Sequence, residues 1–189
     1  MKIAIAGYGV VGRGTHELLL MNRDKIAARA GEEIEVKYVL DPKPLEGTPA
    51  EQLKASGIEE ILADPEVKLL VEAIGGVGPA YEYVKAALES GRSVVTPNKQ
   101  LVAEKGAELL AIAREKNAGF LFEASVAGGT PVLHPISQCL WANDLDLAAG
   151  ILNGTTNYIL TKMVQEGAGF EETLREAQRL GYAEADPTA

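Results

Sequence analysis

The sequence predicts an α/β fold with a doubly wound parallel sheet, followed by the start of an α+β domain. Two observations favour this class. Over residues 1–125, short apolar runs alternate with longer helical patterns, an order that requires a parallel sheet with helices on both faces. After that point one predicted strand is followed by consecutive helices, which is typical of a separate domain. We therefore expect one domain over residues 1–125 and part of a second over residues 126–189.

Composition limits the classes of function. The 189 residues include 18 basic and 27 acidic side chains, for a net charge of −9, and 47% are hydrophobic. This acidic balance disfavours nucleic acids and anionic membranes as partners, because phosphate would be repelled. The single cysteine, Cys139, excludes an intramolecular disulfide and a cysteine-based zinc site. No apolar run reaches the roughly 18 residues of a membrane span. We expect a cytoplasmic protein that binds a small molecule.

Five strands are expected in the first domain, because five short apolar runs each end at glycine, proline or a polar residue. The first run stops at Gly7, and the second alternates until it meets Asp41 and Pro42. The predicted strands are Lys2–Ala6, Ile34–Leu40, Lys68–Ile74, Ser93–Thr96 and Gly119–Phe122.

The residues between these strands show helical periodicity. Pro79 near the first turn of one helix and Gly91 just past its end follow the usual asymmetry of helix termini. Asn98 is expected to cap the longest helix. The predicted helical segments are Val10–Ala28, Ala50–Ala55, Ile58–Leu62, Pro79–Ser90 and Asn98–Asn117. In the second domain we expect a helix over Pro131–Leu140, a strand over Leu145–Leu152, and helices over Thr155–Gln165 and Phe170–Leu180.

The first turn carries the pattern G-x-G-x-x-G in Gly7-Tyr8-Gly9-Val10-Val11-Gly12. Gly7 permits the tight turn, Gly9 lets a pyrophosphate approach the backbone, and Gly12 lets helix and strand pack closely. The helix that starts at Val10 and Val11 offers N–H donors to phosphate. Because the motif lies between a predicted strand and a predicted helix, it indicates a Rossmann dinucleotide site. The alternative is a glycine-rich turn without a cofactor.

Asp41, at the end of the second predicted strand, is the candidate ribose ligand. A carboxylate there accepts hydrogen bonds from the ribose 2′-OH and repels a 2′-phosphate, which favours NAD over NADP. Lys43 is a nearby cation that would suit the phosphate instead, and an Asp-Pro turn former is the purely structural alternative. Gly75 follows the third strand at the same sheet edge, and we expect it to contact the cofactor.

Lys99 and Glu123 follow the fourth and fifth predicted strands. Ligands of such sheets lie beyond the carboxyl ends of the strands, so Lys99 is placed to polarise a carbonyl near the nicotinamide. Its alternative, a solvated lysine in a first helical turn, is disfavoured by the helix dipole. Glu123 precedes a glycine-rich turn whose carbonyls would complete a cation site, and an ion pair is the alternative.

Polar residues also cluster in the second domain. Thr155 and its neighbours Asn153 and Asn157 either hold a small polar substrate or simply cap a helix, with Thr155 as the N-cap. Glu184 and Asp186 place two carboxylates in a predicted loop. The alternative is that this loop is simply a solvated acidic segment. Neither histidine receives a catalytic role.

At these motifs the chain resembles the homoserine dehydrogenase family. GYGVVG, FEASVAGGTPVL, GILNGTTNYIL and GYAEADPT carry the resemblance, which spans the whole chain. It implies a homodimer that interconverts L-homoserine and L-aspartate 4-semialdehyde with NAD or NADP, on the route to threonine and methionine, with a second domain for substrate and dimerisation. It implies cofactor contacts from Gly9, Val10, Val11, Gly12 and Lys99, a sodium-like cation on Glu123 and the carbonyls of Val126, Gly128 and Thr130, and substrate contacts from Gly154, Thr155, Tyr182 and Glu184.

The resemblance also implies roles for individual residues, and the chain departs from the family pattern in two respects. Lys99 and Glu184 are the implied catalytic residues, with Glu184 on the substrate ammonium. Leu40 stands where many members have an arginine for the 2′-phosphate, which again favours NAD. The family's substrate-binding Asp and proton-shuttling Lys would follow Ala189, so we expect an N-terminal portion that binds cofactor and oxidises homoserine negligibly. The alternatives are another amino-acid dehydrogenase of similar build or a non-catalytic nucleotide-sensing domain.

Overall fold

A computed structural model describes residues 1–151 and 153–183. The chain divides into two compact units, Met1–Gly128 and Gly129–Ala189, which are described one at a time. Within the described residues, no helix is both long enough and apolar enough to span a bilayer.

The first unit is built on a five-stranded sheet. Its strands are β1 (Lys2–Ala6), β2 (Glu35–Leu40), β3 (Val67–Glu72), β4 (Ser93–Val95) and β5 (Phe120–Leu121). Their order is β2-β1-β3-β4-β5 and all neighbours are parallel, which confirms the predicted doubly wound sheet. From β1 the chain winds first to β2 on one side and then to β3 on the other. Such a reversal opens a crevice at the carboxyl edge between β1 and β3, the usual ligand position in this architecture.

Five helices cover the two faces of this sheet. They are α1 (Val10–Met21), α2 (Arg23–Ala30), α3 (Ile58–Ala63), α4 (Gly78–Glu89) and α5 (Lys99–Glu115). The prediction of one helix over Val10–Ala28 is wrong. The helix breaks at Asn22, whose φ of −116° and ψ of 24° are not helical and whose amide donates to the Leu18 carbonyl at 3.3 Å. The predicted segment Ala50–Ala55 is reduced to a 3₁₀ turn over Glu51–Leu53.

The sheet is buried on both faces, as the continuous apolar run of β1 predicts. Ile3 and Ile5 belong to one apolar cluster, with Val36 and Val39 of β2. Ala4 and Ala6 belong to a second, larger cluster that includes Leu101 and Leu109 of α5. Because successive strand residues point to opposite faces, this alternation places one core on each side of the sheet.

The second unit is mostly helical in its described part. It contains a π-helical turn (Pro135–Cys139), α6 (Gly154–Glu166) and α7 (Phe170–Arg179). The predicted helix Pro131–Leu140 is therefore limited to that turn. The predicted strand Leu145–Leu152 is wrong over residues 145–151, which are not extended into a sheet, and Leu152 lies outside the described residues. A strand needs a hydrogen-bonded neighbour, and the described part of this unit provides none.

Two polar contacts organise the helices α6 and α7. Asn153, rather than Thr155, caps α6, because the Asn153 side chain accepts a hydrogen bond from the Thr156 N–H at 2.8 Å. The Lys162 ammonium on α6 lies 3.2 Å from the Glu176 carboxylate on α7. The alternative in which Thr155 simply caps the helix is thus wrong, and its hydroxyl is engaged elsewhere.

The β1–α1 turn depends on two glycines. Gly7 has φ +93°, and a Cβ there would lie 2.5 Å from the Ala73 backbone. A Cβ on Gly12 would lie 1.9 Å from the Gly7 carbonyl oxygen and 3.3 Å from the side chain of Ile5. Gly9 differs, since no atom lies within 4 Å of the equivalent point. The tight turn at Gly7 and the close helix–strand approach at Gly12 are therefore present, and Gly9 borders open space.

Gly12→Ala is expected to lower the free energy of unfolding by roughly 1–3 kcal/mol or more, because α1 must move away from β1. Gly14→Ala is the matched control on the same helix. A Cβ at Gly14 has open space within 4 Å, so this change should instead stabilise the helix by up to about 1 kcal/mol. Urea unfolding of both variants measures the two effects. Equal effects of the two substitutions would contradict the packing role of Gly12.

Candidate functional site

The N-terminus of α1 is a ready site for an anion. Gly9 is its N-cap, among the described residues no side chain caps it, and its first turn contains no acidic residue. The first hydrogen bond of the helix runs from the Arg13 N–H to the Gly9 carbonyl, at 3.0 Å. The N–H groups of Val10, Val11 and Gly12 therefore have no partner within the helix, and the helix dipole adds positive potential. A phosphate fits this end.

A cavity of about 840 Å³ lies beside this turn. The β1–α1 turn, the segment after β2, the end of β3 and the start of α4 all contribute to it. Its lining residues are Gly7, Tyr8, Gly9, Arg13, Leu40, Asp41, Pro42, Lys43, Pro44, Leu45, Thr48, Lys54, Ala55, Ser56, Gly57, Ala73, Ile74, Pro79 and Tyr83. Its volume is within the range of small-molecule and cofactor sites.

Asp41 joins the cavity to the glycine-rich turn. Its Oδ2 accepts the Tyr8 N–H at 2.6 Å, and its Oδ1 accepts the Lys43 N–H at 2.8 Å. The structure thus gives Asp41 the turn-forming role of the structural alternative. It also places the carboxylate in the cavity wall. The two roles are compatible, because each carboxylate oxygen has a second lone pair for a ligand hydroxyl.

The same wall carries three cationic side chains, of which the sequence analysis singled out only Lys43. Arg13 is paired with Glu17 at 2.8 Å. Lys43 follows Asp41, and the Lys54 ammonium donates to the Lys43 carbonyl at 3.0 Å. Lys54 was missed because its sequence position, after a 3₁₀ turn, gives no motif. An isolated bridge between Lys54 and Val39 of β2 brings it to the site.

Tyr8 anchors the glycine-rich turn to the first helix. Its hydroxyl lies 2.8 Å from Nδ1 of His16, and both side chains are buried. Burial lowers the pKa of His16, and burial raises the pKa of Tyr8 despite the opposing charge of Arg13. Both groups are therefore neutral near pH 7, and the pair is a hydrogen bond between uncharged partners. His16 has a structural role here, in agreement with its exclusion from the catalytic candidates.

The expected cofactor residues do not all line this cavity. Gly7, Gly9 and Asp41 do, while Val10, Val11 and Gly12 form the adjoining first turn of α1. Gly75 and Lys99 instead follow β3 and β4, at the same edge of the sheet. Gly75 has φ +83° and donates its N–H to the Glu72 carboxylate at 3.2 Å. Lys99 is exposed and is the first residue of α5.

The fifth strand is shorter than predicted, so Glu123 does not follow it directly. β5 stops at Leu121, and Glu123 begins a 3₁₀ turn over Glu123–Ser125. Ala127 and Gly128 then adopt left-handed φ values of 56° and 58°. Within residues 1–151 and 153–183, no group of three or more His, Cys, Asp or Glu side chains is placed to hold a metal ion. Glu123 would thus supply a single charge to any cation, with carbonyls as the remaining ligands.

The second unit brings three of the four expected substrate residues together. Gly154 begins α6, and the Thr155 hydroxyl donates to the Tyr182 carbonyl oxygen. The Tyr182 ring meets the Tyr158 ring edge-on, with centroids 5.2 Å apart. Glu184 lies outside the described residues. The start of α6 and the segment that follows α7 therefore lie together, which brings Gly154, Thr155 and Tyr182 into one cluster.

Comparison with known proteins gives a family match within each of the two units. The family model described as the NAD binding domain of homoserine dehydrogenase matches residues 7–123, and the model described as homoserine dehydrogenase matches residues 131–189. The homoserine dehydrogenase of Pseudomonas aeruginosa is 47% identical over 190 residues, covering 100% of this chain and 44% of that relative. The chain thus spans less than half the length of this relative.

Solved structures give the same result. A homoserine dehydrogenase from Thiobacillus denitrificans has a TM-score of 0.90 and 44% identity, covering 100% of this chain and 44% of that one. A hyperthermophilic archaeal homoserine dehydrogenase in complex with NADPH has a TM-score of 0.82 and 28% identity, covering 100% and 64%. With matches along its whole length in sequence and in fold, the chain belongs to the homoserine dehydrogenase family.

Proposed function

We propose that the protein containing this chain interconverts L-homoserine and L-aspartate 4-semialdehyde with a nicotinamide cofactor, in the cytoplasm, for threonine and methionine synthesis. The observation that carries the proposal is the uncapped N-terminus of α1 beside a cavity of about 840 Å³. That arrangement suits a dinucleotide, and the chain that holds it belongs to a family of this activity.

Each group of residues has a distinct task in this reaction. A bound nicotinamide dinucleotide supplies or accepts a hydride. The N–H groups at the start of α1 hold its pyrophosphate, and Asp41 accepts hydrogen bonds from its adenosine ribose. The Lys99 ammonium stabilises negative charge on the substrate oxygen as the carbonyl is reduced. Gly154, Thr155 and Tyr182 bind the substrate's polar groups, and Glu184 accepts hydrogen bonds from its ammonium.

NAD(H) is the proposed cofactor rather than NADP(H). The Asp41 carboxylate lies at the end of β2, where a 2′-phosphate would meet a negative charge, and Leu40 beside it offers no cation. Lys43 and Lys54 also line the cavity, and the Lys54 ammonium donates to the Lys43 carbonyl. The proposed preference for NAD(H) therefore rests on the Asp41 carboxylate at the end of β2.

Titration of the chain with NADH and with NADPH is expected to show tighter binding of NADH. Asp41→Asn should narrow the ratio of the two dissociation constants by about 10-fold, equivalent to about 1.4 kcal/mol, because the repelling charge is removed while the side-chain size is kept. Lys43→Gln is the matched control and should leave the ratio nearly unchanged. Tighter NADPH binding that is lost in Lys43→Gln would overturn the proposal and assign the phosphate to Lys43.

The role of Lys99 is tested in the full-length natural polypeptide that contains these residues. Lys99→Met should lower kcat for homoserine oxidation by roughly 10²–10³-fold, the usual loss of one oxyanion donor. Lys99→Arg should retain part of the activity, because the charge is kept. Lys116→Met, at the opposite end of α5, is the control and should keep full turnover. Absorbance of the reduced nicotinamide follows the reaction, and a full-length protein that leaves homoserine unchanged would refute the proposed activity.

We also propose a monovalent cation bound by Glu123 and the carbonyls of Val126, Gly128 and Thr130. A single carboxylate with neutral oxygens suits a cation of low charge. Sodium should then raise the Tm above its value in choline chloride of equal ionic strength. Glu123→Gln should abolish that difference, while Glu115→Gln at the exposed end of α5 should preserve it. A sodium effect that is unchanged in Glu123→Gln would exclude the site.

A homodimer is the proposed assembly of the full-length protein. Several large apolar side chains of the second unit are exposed, among them Trp141, Leu147 and Val164. We propose that these side chains contribute to contacts with other polypeptide, because large exposed apolar surface is typical of such contacts. Light scattering of the full-length protein should give twice the mass of its chain, and a monomer at micromolar concentration would contradict the assembly.

A further inference from the structure

We propose that Glu72 is a positioning residue for the nicotinamide end of the cofactor site, acting through Thr96 and Asn98. The inference rests on the proposed cofactor function and adds a residue set that the family resemblance did not supply. Its basis is a continuous chain of hydrogen bonds that ties the turn after β3 to the turn after β4.

Glu72 is the last residue of β3 and is fully buried. Its Oε1 accepts the Ile74 N–H at 2.7 Å and the Gly75 N–H at 3.2 Å. Its Oε2 accepts a hydrogen bond from the Thr96 hydroxyl. A buried carboxylate is costly unless its oxygens are hydrogen-bonded, and here both are bonded to neutral donors. Glu72 therefore fixes the turn geometry.

Thr96 transmits this constraint to the next strand. It is fully buried after β4, and while its hydroxyl donates to Glu72 it also accepts the Asn98 N–H at 3.0 Å. Asn98 then makes two further bonds. Its Oδ1 accepts the Leu101 N–H at 3.0 Å, which caps α5, and its Nδ2 donates to the Gly76 carbonyl at 2.6 Å.

The chain of bonds closes on itself. The turn after β3 is held at Gly75 by Glu72 and at Gly76 by Asn98. Both glycines have left-handed φ values, +83° and +66°, so the turn has a shape that most sequences would not hold without such bonds. The start of α5, where Lys99 follows Asn98, is fixed by the same side chains.

The position of this network in the sheet indicates what it serves. Asp41 and the β1–α1 turn take the adenosine and pyrophosphate half of a dinucleotide, at the ends of β2 and β1. Given the observed strand order, the remaining half of a bound dinucleotide would lie over the ends of β3 and β4. Ile74, whose N–H Glu72 holds, lines the cavity wall on that side. The network therefore lies under the nicotinamide end and apart from the adenosine end.

Two ligands separate this role from a general structural one. ADP-ribose contains the adenosine, pyrophosphate and second ribose of NADH and lacks the nicotinamide ring. In the 189-residue chain, Thr96→Val removes the hydroxyl at nearly constant volume, and Thr96→Ser keeps it. Calorimetric titration should show NADH binding weakened about 10-fold in Thr96→Val, with ADP-ribose binding within about 2-fold of wild type. Thr96→Ser should bind both ligands as wild type does.

Each other outcome has a defined meaning. If the substitution weakens both ligands equally, or weakens neither, the positioning role of Glu72 is overturned, while the proposed binding of a nicotinamide cofactor by the wild-type chain still stands. A wild-type chain that binds neither ligand would overturn the proposed function itself, and the inference with it. Glu72→Gln, which preserves the shape of the side chain, provides the same comparison if Thr96→Val does not fold, and the same selective loss of NADH affinity is expected.

Discussion

The contact of α1 with the end of β1 is the constraint on which the site depends. Because Gly12 has no side chain, the first turn of the helix rests against the Gly7 carbonyl, and the helix begins directly at the sheet edge. Its first N–H groups, which have no partner within the helix, therefore lie at the carboxyl edge of the sheet beside the cavity. The Tyr8–His16 bond and the Asp41 contact with the Tyr8 N–H hold the turn from two further directions.

Two carboxylates at the ends of strands have different roles at this edge of the sheet. Asp41 after β2 and Glu72 at the end of β3 each accept two backbone N–H groups. Both donors to Glu72 lie in the turn after β3, whereas Asp41 accepts one N–H from the turn after β1 and one from its own turn. Asp41 borders the cavity and keeps lone pairs that a ligand can use. Glu72 is buried, and its second oxygen accepts a hydrogen bond from the Thr96 hydroxyl. The same local chemistry therefore yields a binding residue at one strand and a positioning residue at the other.

The parts that were predictable from the sequence are those that short-range chemistry decides. The five strands, the G-x-G-x-x-G turn and the Asn98 cap follow from local patterns, and the structure contains them all. The contribution of Lys54 depends on more distant partners, the Lys43 carbonyl 11 residues away and Val39 of β2. The break at Asn22 and the cap at Asn153 rest on local hydrogen bonds, but the residue pattern did not distinguish them from a continuous helix and a cap at Thr155. Glu72 did leave a signal, since a charged residue in the apolar run of β3 must have a buried partner, but its partner Thr96 is 24 residues away.

The two units differ in how their apolar residues pack. In the first unit every strand finds its neighbours and both faces of the sheet carry a core. In the described part of the second, only a few side chains, such as Ile159 and Ala177, are buried, and an apolar run with strand character finds no partner to pair with. The relatives from Pseudomonas aeruginosa and Thiobacillus denitrificans are more than twice as long, so most of their polypeptide lies outside the region compared. Cofactor binding is thus a property that this chain's own sheet can support, whereas substrate turnover is a property to measure in the full-length polypeptide.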